Sequence, residues 1–142
     1  MQTSARNQFL GRATVLHMAP INAEVSVDIG AGDQITALVT RNSLDDLNIQ
    51  EGTEVYALVK ASSVIIMPET SSLKLSARNQ LRGKVAGCRK GAVNAEVILQ
   101  LAGGQTVTAI ITNESVDRLE LKEGDEAVAV FKSSSVILAV KA

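Results

Sequence analysis

The chain carries one module written twice, and this constrains its fold more than any single motif. Ser4-Ala5-Arg6-Asn7-Gln8 returns unchanged as Ser76-Ala77-Arg78-Asn79-Gln80. Asn22-Ala23-Glu24-Val25 returns as Asn94-Ala95-Glu96-Val97, and Ser62-Ser63-Val64-Ile65 as Ser134-Ser135-Val136-Ile137. The spacing is the same in each case, with no insertion or deletion, and about 26 of roughly 67 aligned positions are identical. The boundary falls in the polar stretch Pro68-Glu69-Thr70-Ser71-Ser72, which is ill suited to continue a strand. Two domains are therefore expected, 1–69 and 70–142. Each copy is small enough that an isolated core is marginal. Association is the expected remedy, first between the copies and then between chains.

Within a copy the pattern reads as short strands and one small helix. Arg6 to Leu16 is a long first strand, with Gly11 as its expected bulge or bend. Glu24-Val25-Ser26-Val27-Asp28-Ile29 alternates polar and apolar residues, as a half-buried strand does. Gly30 to Asp33 turns the chain into a third strand, Ile35 to Val39. Leu44 and Leu47, three residues apart behind Thr40, announce a helix with a threonine cap. Val55 to Lys60 and Val64 to Met67 complete the copy. The expected class is all-β: two tandem OB-like five-stranded Greek-key barrels, each with one short helix.

Composition removes several functions. Hydrophobic residues make up 46% of the 142 and the formal net charge is −1, which excludes a disordered chain. No apolar run is long enough to cross a bilayer, and the opening Met1 to Arg6 is too polar for a signal peptide. A cytoplasmic protein is expected, with no membrane partner. The single cysteine, Cys88, fits a reducing compartment and reads as a small buried apolar residue. With one His and one Cys, direct ligation of a transition metal is not expected. His17 reads as a solvent-facing strand residue, since Arg89 replaces it in the second copy. Glu24 and Glu96 recur without a partner acid and read as salt-bridge or turn residues. No base sits with a nucleophile, so no enzyme is expected. Nucleic acid is an unfavoured partner too, because Phe9, Tyr56 and Phe131 are too few to stack bases and are not kept between copies.

What both copies retain is a set of donors. Ser4, Arg6 and Asn7 open the first strand, Thr40 and Ser43 start the helix, and Lys60 precedes Ala61-Ser62-Ser63. The counterparts are Ser76, Arg78, Asn79, Thr112, Ser115, Lys132 and Ser133. These groups suit a tetrahedral oxyanion. Arg offers a planar fork, Lys a mobile point charge, hydroxyls add donors without charge, and a helix start exposes amides. One Arg and one Lys are expected to balance a dianion.

The Ser-Ala-Arg-Asn opening, the Asn-Ala-Glu-Val segment and the Lys-x-Ser-Ser-Val-Ile ending together resemble the Mop domain. Two in tandem are similar to the di-Mop molbindins, over about 4–67 and 76–139. The resemblance implies an OB-like barrel and a homo-oligomer, a trimer, binding molybdate or tungstate at subunit contacts, with no organic cofactor. It implies one class of site from Ser4, Arg6, Asn7, Lys60 and Ala61, with Thr40 and Ser43 of a neighbouring subunit's helix. The second set is Ser76, Arg78, Asn79, Lys132 and Ser133 with Thr112 and Ser115; which copies pair is left open. A second class near the trimer axis maps to Gly91, Ala92, Val93 and Asn94. The first copy departs there, with Ala19-Pro20 before Ile21 and Asn22. Pro20 has no N–H, and Ala19 adopts a positive φ less readily than Gly91, so a weaker axial site is expected in that copy. The implied role is storage and homeostasis of the oxyanion. The alternatives are an anion sensor acting through a partner protein, a nucleic-acid-binding OB barrel, and an assembly module without ligand.

Overall fold

The computed structural model describes residues 3–142; Met1 and Gln2, which open the polar segment discussed above, lie outside the described residues. The first repeat supplies β1 (Asn7–Met18), β2 (Asn22–Gly30), β3 (Asp33–Thr40), helix α1 (Arg41–Asp46), β4 (Glu54–Val59) and β5 (Ile65–Pro68). The second supplies β6 (Asn79–Lys90), β7 (Asn94–Leu101), β8 (Thr106–Thr112), helix α2 (Asn113–Leu119), β9 (Glu126–Phe131) and β10 (Ile137–Ala139). All the strand pairs are antiparallel. The expected order of five strands and one helix per copy is present, with each helix between its third and fourth strands.

The two sheets do not coincide with the two sequence copies. One runs β10-β4-β1-β2-β3 and the other β5-β9-β6-β7-β8, so each copy lays its last strand on the other's sheet. Ile137 pairs with Leu58, and Ile65 with Val130. The expectation that each copy supplies its own fifth strand is thus corrected. The cause is local. Between β4 and β5 lies a single 3₁₀ turn, Ala61–Ser63, flanked by Lys60 and Val64 in extended conformation. Such a segment turns a corner where a hairpin would double back. The same turn recurs at Ser133–Ser135.

Exchange merges the two halves into one core. Phe9, Val25, Val27, Ile35 and Val55 of the first copy and Leu81, Val97, Leu99, Val107 and Phe131 of the second belong to one contiguous buried cluster. The association expected for such small copies is therefore internal at its first step. Cys88, expected to be buried, is only half-buried at the rim.

Gly11 is not the bulge. The bulge lies between Val15 and His17, and its counterpart between Val85 and Gly87. Gly11 instead marks a close crossing of β1 and β2, where a Cβ would fall 2.2 Å from the Asp28 carbonyl oxygen. Gly83 has the same role against Gln100, at 2.6 Å. β1 pairs with β4 on one edge and β2 on the other.

Two buried amides fasten the copies across the seam. The Asn7 side chain donates from Nδ2 to the Thr108 carbonyl (2.8 Å), and its Oδ1 accepts from the Thr108 N–H (2.7 Å). Asn79 does the same to Thr36, at 2.8 and 2.7 Å. Each asparagine thereby imitates a strand's peptide group beside a backbone that would otherwise be unpaired. Truncating either one orphans an N–H and a C=O, buried at Thr108 and half-buried at Thr36. Asn7→Ala or Asn79→Ala is expected to cost about 2–4 kcal/mol in equilibrium urea unfolding, whereas Gln8→Ala on the exposed face is expected to cost less than about 0.5 kcal/mol.

Candidate functional site

Alternation along the first strand sorts the retained polar residues into two groups. Asn7 points inward with Phe9, while Ser4, Arg6 and Gln8 are exposed. The seam occupies both polar atoms of the Asn7 amide, which faces away from the surface donors. Asn79 is placed alike, inward with Leu81. The inward period-two spacing of Asn7 and Phe9 was a readable signal that these amides serve the core.

On the outer side, a cleft of about 490 Å³ is lined by Ser4, Ala5, Arg6, Lys60, Ala61 and Ser62, with Leu58, Ile110 and Ile137 as its apolar wall. The fold brings together four of the expected donor positions, Ser4, Arg6, Lys60 and Ala61. Arg6 immediately precedes β1, and Lys60 and Ala61 come from the corner after β4. The 3₁₀ turn closes with the Ser63 N–H on the Lys60 carbonyl (3.0 Å), and no side chain caps it. The amides of Ala61 and Ser62 precede that bond and stand at the open start of the turn. Ile110 and Ile137 are contributions of the second copy.

The arginines are not free cations. Arg6 Nη2 lies 2.8 Å from Glu96 Oε2 of the other copy. Arg78 donates from Nη1 to both carboxylate oxygens of Glu24, at 2.9 and 3.1 Å. The salt-bridge reading of Glu24 and Glu96 therefore describes their place, and the expected charge count is corrected. Arg6 with Glu96 is neutral as a pair, so Lys60 supplies the net positive charge.

Thr40 and Ser43 lie elsewhere, at the mouth of a cleft formed by α1 and β10 with Leu44, Leu47 and Val136. Thr40 caps α1 by accepting the Ser43 N–H (3.1 Å), and the two hydroxyls lie 2.7 Å apart. Thr112 and Ser115 repeat the arrangement at 3.1 and 2.8 Å. Two hydroxyls sharing one hydrogen bond leave one O–H free to donate outward. The helices themselves offer little. They have six and seven residues, and the Arg41 and Asn113 amides are already bonded to the Ile21 and Val93 carbonyls. The hydroxyls, more than the helix start, carry the donor capacity here.

The loops of the second expected site class are alike in both copies. Ala19 N–H bonds the Asn22 carbonyl at 2.9 Å, and Gly91 N–H the Asn94 carbonyl at 2.7 Å. Gly91, Ala92, Val93, Asn94, Ile21 and Asn22 are all exposed. Gly91 is not in the left-handed region, so the expected conformational handicap of Ala19 is corrected. What differs is the missing N–H at Pro20, and Asn113, whose Nδ2 donates to the Gly91 carbonyl (2.9 Å) where the first copy has Arg41. His17 is exposed, and among the described residues no group of three or more His, Cys, Asp or Glu is placed to hold a metal ion. No helix among them is long and apolar enough to cross a membrane.

The Arg78–Glu24 pair is half-exposed, so its own contribution to stability is small. A double-mutant cycle with Arg78→Met and Glu24→Gln is expected to give a coupling of about 0.2–1 kcal/mol in chemical unfolding.

Known proteins fit this geometry. The TOBE domain family matches residues 3–66 and 75–138, once for each copy. The molybdenum transport protein ModE of Azotobacter vinelandii is 49% identical over 140 residues, 99% of this chain and 52% of that protein. The molybdenum-pterin-binding protein MopA of Rhodobacter capsulatus is 40% identical over 140 residues, again 99% of this chain and 53% of that one. The chain thus spans about half the length of these curated relatives. The crystal structure of the cytoplasmic molybdate-binding protein ModG with molybdate bound superposes with a TM-score of 0.95 at 47% identity, covering 99% of this chain and 100% of that one. The chain belongs to the TOBE-domain family, as two such domains in tandem.

Proposed function

We propose that the chain is a cytoplasmic binding protein for molybdate and tungstate, which stores and buffers the oxyanion and catalyses no reaction. The observation that carries this reading is the cleft uniting Ser4, Arg6, Lys60 and Ala61. Ser76, Arg78, Lys132 and Ser133 occupy the equivalent points of the other copy. The likeness to ModG, whose crystal structure holds molybdate, supports the same ligand.

The oxyanion is held intact through its oxygens. The arginine fork directs its unoccupied N–H groups at two of them, Lys60 or Lys132 supplies charge, and Ser4 or Ser76 donates a hydroxyl. The amides at the start of the 3₁₀ turn complete the near side, and Ser133 adds a hydroxyl that Ala61 lacks. No Cys or His is needed, because oxygen meets N–H and O–H donors.

The far side is assigned to a Thr/Ser pair of a neighbouring subunit, Thr40 with Ser43 or Thr112 with Ser115, in a homotrimer. Exposed apolar side chains support assembly. Ile21 and Val93 are 75% and 71% exposed, and Ile65 and Ile137 61% and 62%. Each pair occupies equivalent positions in the two copies, so both halves present the same uncovered faces. The loops at Ile21-Asn22 and at Gly91 to Asn94 are assigned to a further ion site near the trimer axis, weaker in the first copy because Pro20 has no N–H to donate.

Isothermal titration with molybdate tests the reading. The wild-type protein is expected to take up the ion reversibly, with tungstate competing nearly equally. Sulfate, being smaller, leaves the fixed donors stretched and is expected to compete poorly. Arg6→Lys with Arg78→Lys removes the planar fork at unchanged charge and is expected to weaken uptake about 10- to 100-fold. Titration curves indistinguishable from wild type in that variant would contradict the assignment.

A further inference from the structure

The two carboxylates at the arginines have a consequence for binding strength. Glu24 and Glu96 are identical in the two copies, and each reaches across the seam to the guanidinium that faces the other copy's donors. Glu24 is held near the start of β2 between His17 and Leu38, and Glu96 near the start of β7 between Arg89 and Ile110. Ile110 itself walls the Arg6 cleft, so the Glu96 carboxylate lies at the edge of that cleft. The contact leaves the arginine capable of more. Arg78 engages Glu24 through Nη1 alone, and a guanidinium has five N–H donors.

We infer that Glu24 and Glu96 are positioning residues that set the affinity of the oxyanion sites. Each holds its guanidinium from one side in the orientation that the ligand meets. Each also leaves a negative charge beside the bound dianion, which weakens the complex. This inference rests on the oxyanion-binding reading above. With the carboxylate in place, each Glu offsets one of the two cationic side chains, Arg and Lys, assigned to its pocket, and at the Arg6 cleft Arg89 stands on the far side of Glu96. Capture then depends on the complete hydrogen-bond set, and the ion is released readily. A buffering protein needs such release.

A carboxylate that merely tied the copies together would behave differently. Removing its charge would loosen the seam and leave ligand affinity equal or lower. If it sets affinity, removing the charge while keeping the acceptor must tighten binding.

The test is molybdate titration of Glu24→Gln with Glu96→Gln, alongside the wild type and with unfolding midpoints recorded for both. Gln retains an oxygen for the arginine and loses the charge. The expected result is binding about tenfold tighter, the order of effect for one unit charge removed from beside a dianion at a solvent edge, with slower release and an unchanged number of ions. If the double variant does not fold, Glu96→Gln alone leaves the Arg78–Glu24 pair intact and is expected to tighten only the sites at Arg6. Affinity equal to wild type within twofold, or weaker, overturns the inference and leaves the binding function standing. A wild-type protein that takes up no molybdate overturns both.

Discussion

A primary amide buried away from water must find both a donor and an acceptor, and here it finds both on one residue's backbone across the seam. Asn7 on Thr108 and Asn79 on Thr36 fix how the two copies face one another. The exchanged strands β5 and β10 hold the same relation from the outside. Since Arg6 and Arg78 each precede one of these asparagines, the seam also decides where the two guanidinium groups emerge. They emerge beside glutamates of the opposite copy. The geometry of the site is a result of how the duplicated module closes on itself.

That closure changes the electrostatics of the clefts. Considered as a string of donors, Ser-Ala-Arg-Asn with Lys promises two free cations for a dianion. In the folded chain the arginine is already paired with a carboxylate, so on the proposed reading charge alone would not hold the ligand. On the proposed reading a tetrahedral oxyanion competes with water through the remaining arginine N–H groups, the lysine, the serine hydroxyl and the uncapped 3₁₀ amides, all on residues that line one cleft. On that reading the pocket discriminates by the placement of its donors, as a site must that tells one doubly charged oxyanion from a smaller one of equal charge.

Much of this architecture was legible before any coordinates. The repeat, the alternation in β2 and β7, the hairpin at Gly30 to Asp33 and the threonine caps at Thr40 and Thr112 are local patterns, and local patterns survive folding. The exchange of β5 and β10 was not legible, because Val64 to Met67 looks the same whichever edge it joins. Strand pairing is non-local, and the deciding feature, a 3₁₀ corner at Ala61–Ser63, has no strong sequence mark. The asparagines carry two signals. They stand in one run with Ser and Arg, yet adjacent strand residues face opposite ways, and their side-chain amides serve the seam. The φ argument at Ala19 failed because Gly91 adopts an ordinary backbone conformation, which residue type alone does not reveal.

Crystals soaked in tungstate, with data collected at the metal's absorption edge, examine the proposed clefts most directly. The account predicts anomalous peaks within hydrogen-bonding reach of the Arg6 and Arg78 guanidinium groups, each bordered by a lysine and by a Thr/Ser pair of a neighbouring subunit. Peaks found only away from both arginines, or clefts left empty at saturating tungstate, would contradict it.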